Sequence, residues 1–158
     1  MSKSYNKKSV PLSEILENFK SVCNREGLKI THQRLEIFRQ LAASSNHPTV
    51  ESIYRLLKKK IPTISLDTVY RTIRTFEKYN LVNRIETPES QARFEVAREK
   101  HHHLICSECG SIADFPWPSF DNAQLPPGTI GWGNIQSKNV VLKGQCSKCT
   151  SLDWSVLG

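Results

Sequence analysis

Four cysteines in two pairs constrain this chain more than any other feature. Cys106-Ser107-Glu108-Cys109 and Cys146-Ser147-Lys148-Cys149 each set two sulfurs three positions apart. That spacing lets one tight turn aim both sulfurs at a single ion, and two such turns complete the tetrahedron of structural zinc. The pairs are separated by 36 residues, more than a compact zinc ribbon contains, so a subdomain must fold between them. A redox dithiol needs only one pair, and a reducing cytosol disfavours disulfides. Cys106, Cys109, Cys146 and Cys149 are therefore expected to hold structural Zn²⁺. Four thiolates leave no open position, so the ion should stabilise the fold and not catalyse.

Charge divides the chain of 158 residues at about the same place. Residues 1–90 carry 16 Lys/Arg against 9 Asp/Glu, and residues 91–158 carry 6 of each. All of the net +7 thus belongs to the half without the cysteine pairs, which marks that half for a polyanion such as nucleic acid. At 38% hydrophobic and 23% charged the chain has the composition of a soluble globular protein, not of a disordered or collagen-like one. No apolar run approaches the ~18–20 residues of a membrane span. The start, Met1-Ser2-Lys3-Ser4-Tyr5, has no apolar stretch of a signal peptide, so a cytoplasmic protein with no membrane partner is expected.

The basic half reads as helices followed by a hairpin. Leu12, Ile15, Leu16, Phe19 and Val22 recur at helical spacing over residues 12–26, and Gly27 supplies the stop. Cys23 falls on that apolar face and is expected to be a small core residue. A second helix should follow Thr31 as its N-cap, with Leu35, Phe38 and Leu41 inward. A third should follow Thr49, with Val50, Ile53, Leu56 and Leu57 inward, and close in Lys58-Lys59-Lys60, cations suited to a helix C-terminus.

After the breaker in Ile61-Pro62-Thr63-Ile64, Ser65 should cap a fourth helix from Leu66 to about Tyr79. Its apolar face holds Leu66, Val69, Ile73 and Phe76. Its outward face centres on Arg71, with Thr68 and Arg74 beside it and Tyr70 at the border. Arg can read guanine edges or clamp phosphates, and Thr and Tyr can reach phosphates or thymine methyls. Thr68, Tyr70, Arg71 and Arg74 are the expected DNA contacts of a recognition helix, the other reading being an ordinary solvated face. Leu81–Glu86 and Arg93–Val96 are short strands around a turn at Thr87-Pro88-Glu89-Ser90. Helix, turn, helix and hairpin make a winged helix-turn-helix.

In the neutral half, His101-His102-His103 leads into the first cysteine pair. On an extended strand His101 and His103 point to one face and His102 to the other, so the outer two could share an ion. A solvated histidine run is the alternative. Asp114 sits in Ser111–Phe115, another strand, Glu95 ends the hairpin, and His47 stands just before the third helix. Spacing alone recruits none of these three. Trp117, Trp132 and Trp154 are expected in the core or at an interface.

Taken in order, the segments resemble the ferric uptake regulator family of metal-dependent repressors. The resemblance runs through Gly27-Leu28-Lys29-Ile30-Thr31-His32-Gln33-Arg34, His47-Pro48-Thr49, Ser65-Leu66-Asp67-Thr68-Val69-Tyr70-Arg71, Arg93-Phe94-Glu95, the histidine run with Cys106, and the second cysteine pair. It covers residues 12–149. It implies an α+β chain: a winged-helix DNA-binding domain at 1–96, a hinge at 97–100, and an α/β dimerisation and metal-binding domain at 101–158 that holds the four-cysteine zinc. It implies a regulatory Fe²⁺ or Mn²⁺ on His47, Glu95, His101, His103 and Asp114, and a homodimer on a palindromic double-stranded operator. The position of Asp114 is Asp in the peroxide-sensing branch and usually Glu in the iron-uptake branch. The chain is thus expected to be a peroxide-responsive repressor, in which Fe²⁺ and H₂O₂ oxidise His47 or His101. Glu95 departs from that branch, where Asp is usual, which keeps an iron-sensing repressor as the alternative. A metalloenzyme built on the same histidines and carboxylates lacks a substrate-pocket signal, so no enzyme is expected. A zinc-stabilised DNA-binding module with inert histidines is the remaining reading.

Overall fold

A computed structural model describes residues 10–87 and 91–150. Pro88, Glu89 and Ser90 of the expected turn, and Trp154, lie outside the described residues. The chain divides between Arg98 and Glu99 into two compact units.

The first unit contains four helices and a hairpin: α1 (Leu12–Arg25), α2 (His32–Ala43), α3 (Val50–Lys58), α4 (Leu66–Lys78), β1 (Val82–Ile85) and β2 (Arg93–Val96). Three helices begin where hydroxyl side chains stop the preceding loop. Thr31, Thr49 and Ser65 each accept a hydrogen bond from the backbone N–H three residues on, at 3.2, 3.1 and 3.0 Å, which satisfies an amide the helix leaves unpaired. Two helices end in the left-handed conformation. Gly27 has φ +66°, with Leu28 N–H donating to Cys23 O and Gly27 N–H to Asn24 O. Asn80 has φ +54°, with the equivalent bonds from Leu81 to Phe76 O and from Asn80 to Glu77 O. Both are the double-bonded cap that Gly favours and Asn tolerates.

The core of this unit is aromatic. The Phe19 and Phe38 rings stack with centroids 4.2 Å apart, and Phe76 meets both edge-on at 5.5 and 5.7 Å. Such pairs contribute about 0.5–1.5 kcal/mol each beyond their buried area, and they fasten α1, α2 and α4 together. Cys23, Ile37, Leu41, Ile53, Leu57, Ile64, Val69 and Ile73 belong to the same cluster, which reaches the hairpin through Val82, Phe94 and Val96. Burial holds the Cys23 thiol above its ordinary pKa, with Arg34 opposing it.

The apolar stripes of α3 and α4 are wider in sequence than the faces they bury. Leu56 is 52% exposed and Leu66 41%, while the polar Thr72 is buried beside Val69 and Ile73. The hairpin pairs β1 and β2 antiparallel, Asn83 opposite Glu95 and Arg84 opposite Phe94.

The second unit is a three-stranded sheet of order β4-β3-β5, formed by β3 (His102–Cys106), β4 (Ile112–Phe115) and β5 (Val141–Gly144). β3 pairs antiparallel with β4 and parallel with β5. A short helix, α5 (Pro118–Asn122), and a single 3₁₀ turn at Pro127–Thr129 lie between β4 and β5. Trp117, the residue just before α5, is 41% exposed and Trp132 is 78% exposed, so neither is a core residue of the chain. Among the described residues of this unit the only buried apolar side chains are Ile105 and Cys106. A core that small supplies little stability, and units of this kind depend on a metal or on further packing.

Candidate metal centres and nucleic-acid interface

The sheet order explains why cysteines so far apart in sequence meet. β3 and β5 run parallel as neighbours, with Cys106 in register with Gly144, so the turns that follow them leave the same end of the sheet. Gly110 closes the first turn, with φ +69° and its N–H on Cys106 O at 3.0 Å. The second closes with Cys149 N–H on Cys146 O at 2.9 Å. Ser107 N–H donates to Gly144 O at 2.8 Å and ties the two turns together.

The four sulfurs lie within 4.8 Å of one another, and Cys109 Sγ and Cys146 Sγ are 3.7 Å apart with no disulfide among them. Zn–S bonds of about 2.3 Å give a tetrahedral edge of about 3.8 Å, so the cluster has the size of a zinc site. Its electrostatics are those of a cation site as well. Backbone N–H groups, that of Cys109 foremost and that of Cys146 next, pull the Cys106 thiol down to about 6. The neighbouring sulfurs of Cys146 and Cys109 push the Cys149 thiol up to about 12. Four thiolates this close repel one another unless a dication joins them.

The first unit carries two further donors. The loop after α2 presents His47, whose φ of +47° is left-handed and sterically unfavourable for a side chain bearing Cβ. Such strain concentrates at functional sites. The loop is bonded to the hairpin directly after His47, with Phe94 N–H donating to Pro48 O at 3.0 Å. The next residue, Glu95, sets Oε2 3.2 Å from His47 Nε2, and both side chains are largely shielded.

The second unit carries three. His103 and Asp114 are cross-strand partners, with Nε2 and Oδ1 3.7 Å apart. His101 Nε2 lies 3.9 Å from the same oxygen, and the two imidazoles meet edge-on at 4.9 Å. His101 Nδ1 is 2.8 Å from Glu99 O; a carbonyl only accepts, so Nδ1 is the donor there and Nε2 is the ring nitrogen turned toward Asp114. Two donors each about 2.1 Å from one ion are about 3–4 Å apart, which matches both separations from Asp114.

His102 points elsewhere. It is 1% exposed, its Nδ1 accepts from Val140 N–H at 3.1 Å, and its Nε2 faces Asp121 Oδ1 at 3.4 Å. The rings of Phe115, Trp117 and Phe120 surround it. Asp121 is absent from the sequence candidates, because nothing local links an aspartate on α5 to a histidine on β3.

On α4 the Tyr70, Arg71 and Arg74 side chains are exposed, and Thr68 is half-buried. Thr68 Oγ1 is bonded to Ser65 Oγ at 2.8 Å within the helix cap. Arg71 Nε sits 3.0 Å from Asp67 Oδ2, an exposed pair that opens at little cost. On the hairpin Arg84 is bonded to Glu86 at 2.8 Å.

The model of the ferric uptake regulator family matches residues 25–127. The peroxide-responsive repressor of Staphylococcus epidermidis is 32% identical over 136 residues, which cover 86% of this chain and 90% of that protein. The peroxide operon regulator of Bacillus subtilis is 32% identical over 139 residues, 88% of this chain and 93% of that one. Among solved structures, the Helicobacter pylori ferric uptake regulator, described as having three functional metal-binding sites, superposes with a TM-score of 0.75 at 30% identity, covering 93% of this chain and 99% of that one. The chain belongs to the ferric uptake regulator family.

Proposed function

We propose that this protein is a metal-dependent, DNA-binding transcriptional repressor that responds to peroxide. The observation that carries the reading is Asp114 Oδ1, set at coordination spacing from both His101 and His103. These three groups are too few to complete an N/O coordination sphere. His47 and Glu95, adjacent to each other in the first unit, are the residues that complete it under this reading. An ion held jointly by the two sets favours one orientation of the DNA-binding unit, and operator binding tightens as the ion binds. By linkage the operator tightens the ion by the same factor. The proposed domains are DNA binding in 1–96, a hinge at 97–100, and dimerisation with the four-cysteine Zn²⁺ in 101–158; the division of the chain between Arg98 and Glu99 supports that reading.

An N/O donor set accepts Fe²⁺ or Mn²⁺, and Fe²⁺ when bound supplies the reducing electron for H₂O₂ cleavage. H₂O₂ is the two-electron oxidant: its O–O bond breaks, one oxygen is inserted at a ring C–H of His47 or His101, the other leaves as water, and the oxidised ring is lost as a donor. The weakened set then releases its hold on the DNA-binding orientation. On DNA, Thr68, Tyr70, Arg71 and Arg74 are the proposed contacts. The protein acts in the cytoplasm as a homodimer on a palindromic operator, and the exposed Val141 and Leu142 of β5 supply apolar surface for association of the second units. No catalytic turnover is assigned to the metal donors.

Glu95 favours a second reading, iron sensing without histidine oxidation, because its side chain is one methylene longer than the Asp usual in the peroxide branch. Peptide mass spectrometry of the Fe²⁺ and Mn²⁺ forms after H₂O₂ separates the two. The peroxide reading expects +16 Da on His47 or His101 in the Fe²⁺ form alone, about one oxygen atom per chain. Unmodified histidines, with DNA release only on iron withdrawal, favour iron sensing.

A further inference from the structure

We infer that Arg98 is a positioning residue for the His47–Glu95 half of the regulatory metal site. This rests on the proposed reading of that site. Arg98 is the last residue of the first unit, and its Nη2 donates to Ala42 O at 3.0 Å across 56 residues of sequence. Ala42 belongs to the last turn of α2, where carbonyls lack helical partners and the helix dipole is negative. A guanidinium satisfies both needs.

The consequence lies in what the bond encloses. His47 sits in the loop that connects α2 to α3, in a left-handed conformation that needs support. Downstream of His47 the loop is held by Phe94 N–H on Pro48 O. Upstream it is held by Arg98 on Ala42 O. Both anchors belong to one stretch of chain, β2 and its continuation, and Glu95 lies between them. The stretch from Ala42 to His47 and the stretch from Glu95 to Arg98 thus form a closed frame with the His47–Glu95 pair inside it. The end of α2 is itself seated in the core through the buried Ala42; what Arg98 adds is a tie from there to the chain just past Glu95, and without it the spacing between the His47 loop and Glu95 rests on the Phe94–Pro48 bond. Arg98 acts through the loop and not on the ion.

The test is Mn²⁺ titration of zinc-loaded wild type and of Arg98→Lys, Arg98→Gln and Arg98→Met, with His47→Ala as the control for the site itself. Met keeps the aliphatic stem and removes every donor; Lys keeps charge and a donor; Gln keeps a weaker donor on a shorter stem. The expected order of Mn²⁺ affinity is wild type, Lys, Gln, Met. Arg98→Met should be about tenfold weaker and Arg98→Lys within about threefold of wild type, in the range for groups that orient metal donors. Zinc content and metal-free DNA affinity should stay within about twofold, readouts that a general loosening of the fold would move. A flat series overturns the inference, as does a loss of Mn²⁺ affinity matched by an equal loss of metal-free DNA affinity. A wild type that binds no Mn²⁺, or a His47→Ala that binds it equally well, defeats the reading of the site and the inference together.

Discussion

His103 and Asp114 face one another across antiparallel strands, with Nε2 and Oδ1 3.7 Å apart. That separation is too long for a strong hydrogen bond and right for two donors to one ion. His103→Ala or Asp114→Ala should therefore abolish the second metal-binding event, weakening Mn²⁺ at least about a hundredfold, while the four-cysteine zinc stays bound. Isothermal titration with Mn²⁺ after zinc loading checks this, and an unchanged isotherm in either variant contradicts it.

Zinc removal should unfold the second unit selectively. Ile105 and Cys106 are its only buried apolar residues among those described, whereas the first unit has a full aromatic core. Stripping zinc with a strong chelator should lose amide protection over residues 99–150 in hydrogen exchange and keep it over α1, α2 and α4. Retained protection at Ile105 in zinc-free protein would show that the sheet stands without its ion.

Zinc affinity should depend on pH with a definite sign. In metal-free protein at pH 7 the Cys106 thiol, held at about 6, is ionised, and the Cys149 thiol, held at about 12, is protonated. Zinc must displace at least the Cys149 proton, so apparent affinity falls at least about tenfold for each pH unit lost from neutrality downward. Below about 6 Cys106 protonates too and the fall steepens. Competition against a chelator of known affinity from pH 5 to 8 measures the slope; a flat profile contradicts it.

On α4, Arg71→Ala and Arg74→Ala should act on DNA and not on metal. Each phosphate contact removed lowers the slope of log affinity against log salt by about 0.9, and a lost guanine contact costs about 1–3 kcal/mol at one base position. Arg71 must first leave Asp67, a small cost for an exposed pair. Asp67→Asn should then leave affinity equal or raise it, and a tenfold loss would show that Asp67 itself contacts DNA.

Phe38→Ala should cost about 3–5 kcal/mol, since its ring contacts both Phe19 and Phe76. Thermal unfolding of the first unit reads the effect, and a shift equivalent to under 1 kcal/mol would contradict the packing.

Local signals are the legible ones. Thr31, Thr49 and Ser65 can be read as caps because a cap is decided within four residues, and the cysteine pairs because a turn and its sulfurs are equally local. Periodicity overstates the burial of Leu56 and Leu66: it marks an apolar stripe, and how much of that stripe a neighbour covers depends on tertiary packing. β5 carries only the short apolar run Val140-Val141-Leu142 without alternation, and Val141–Gly144 is exposed at every position. It is a strand because β3 lies beside it. The same holds for Arg98 on Ala42 and His102 facing Asp121, pairs joined only by the fold. His101 and His103 sharing one face follows from strand geometry, but their meeting with Asp114 requires the register of β3 on β4.

In the proposed switch a second ion turns DNA binding on. Its most direct test is the affinity of zinc-loaded protein for a palindromic duplex, selected from a random pool with Mn²⁺-loaded protein, measured by fluorescence anisotropy with and without Mn²⁺. Binding should be at least about tenfold tighter with Mn²⁺, a coupling of about 1.4 kcal/mol, with no such gain in His103→Ala. Equal affinity with and without Mn²⁺ in the intact protein would contradict it.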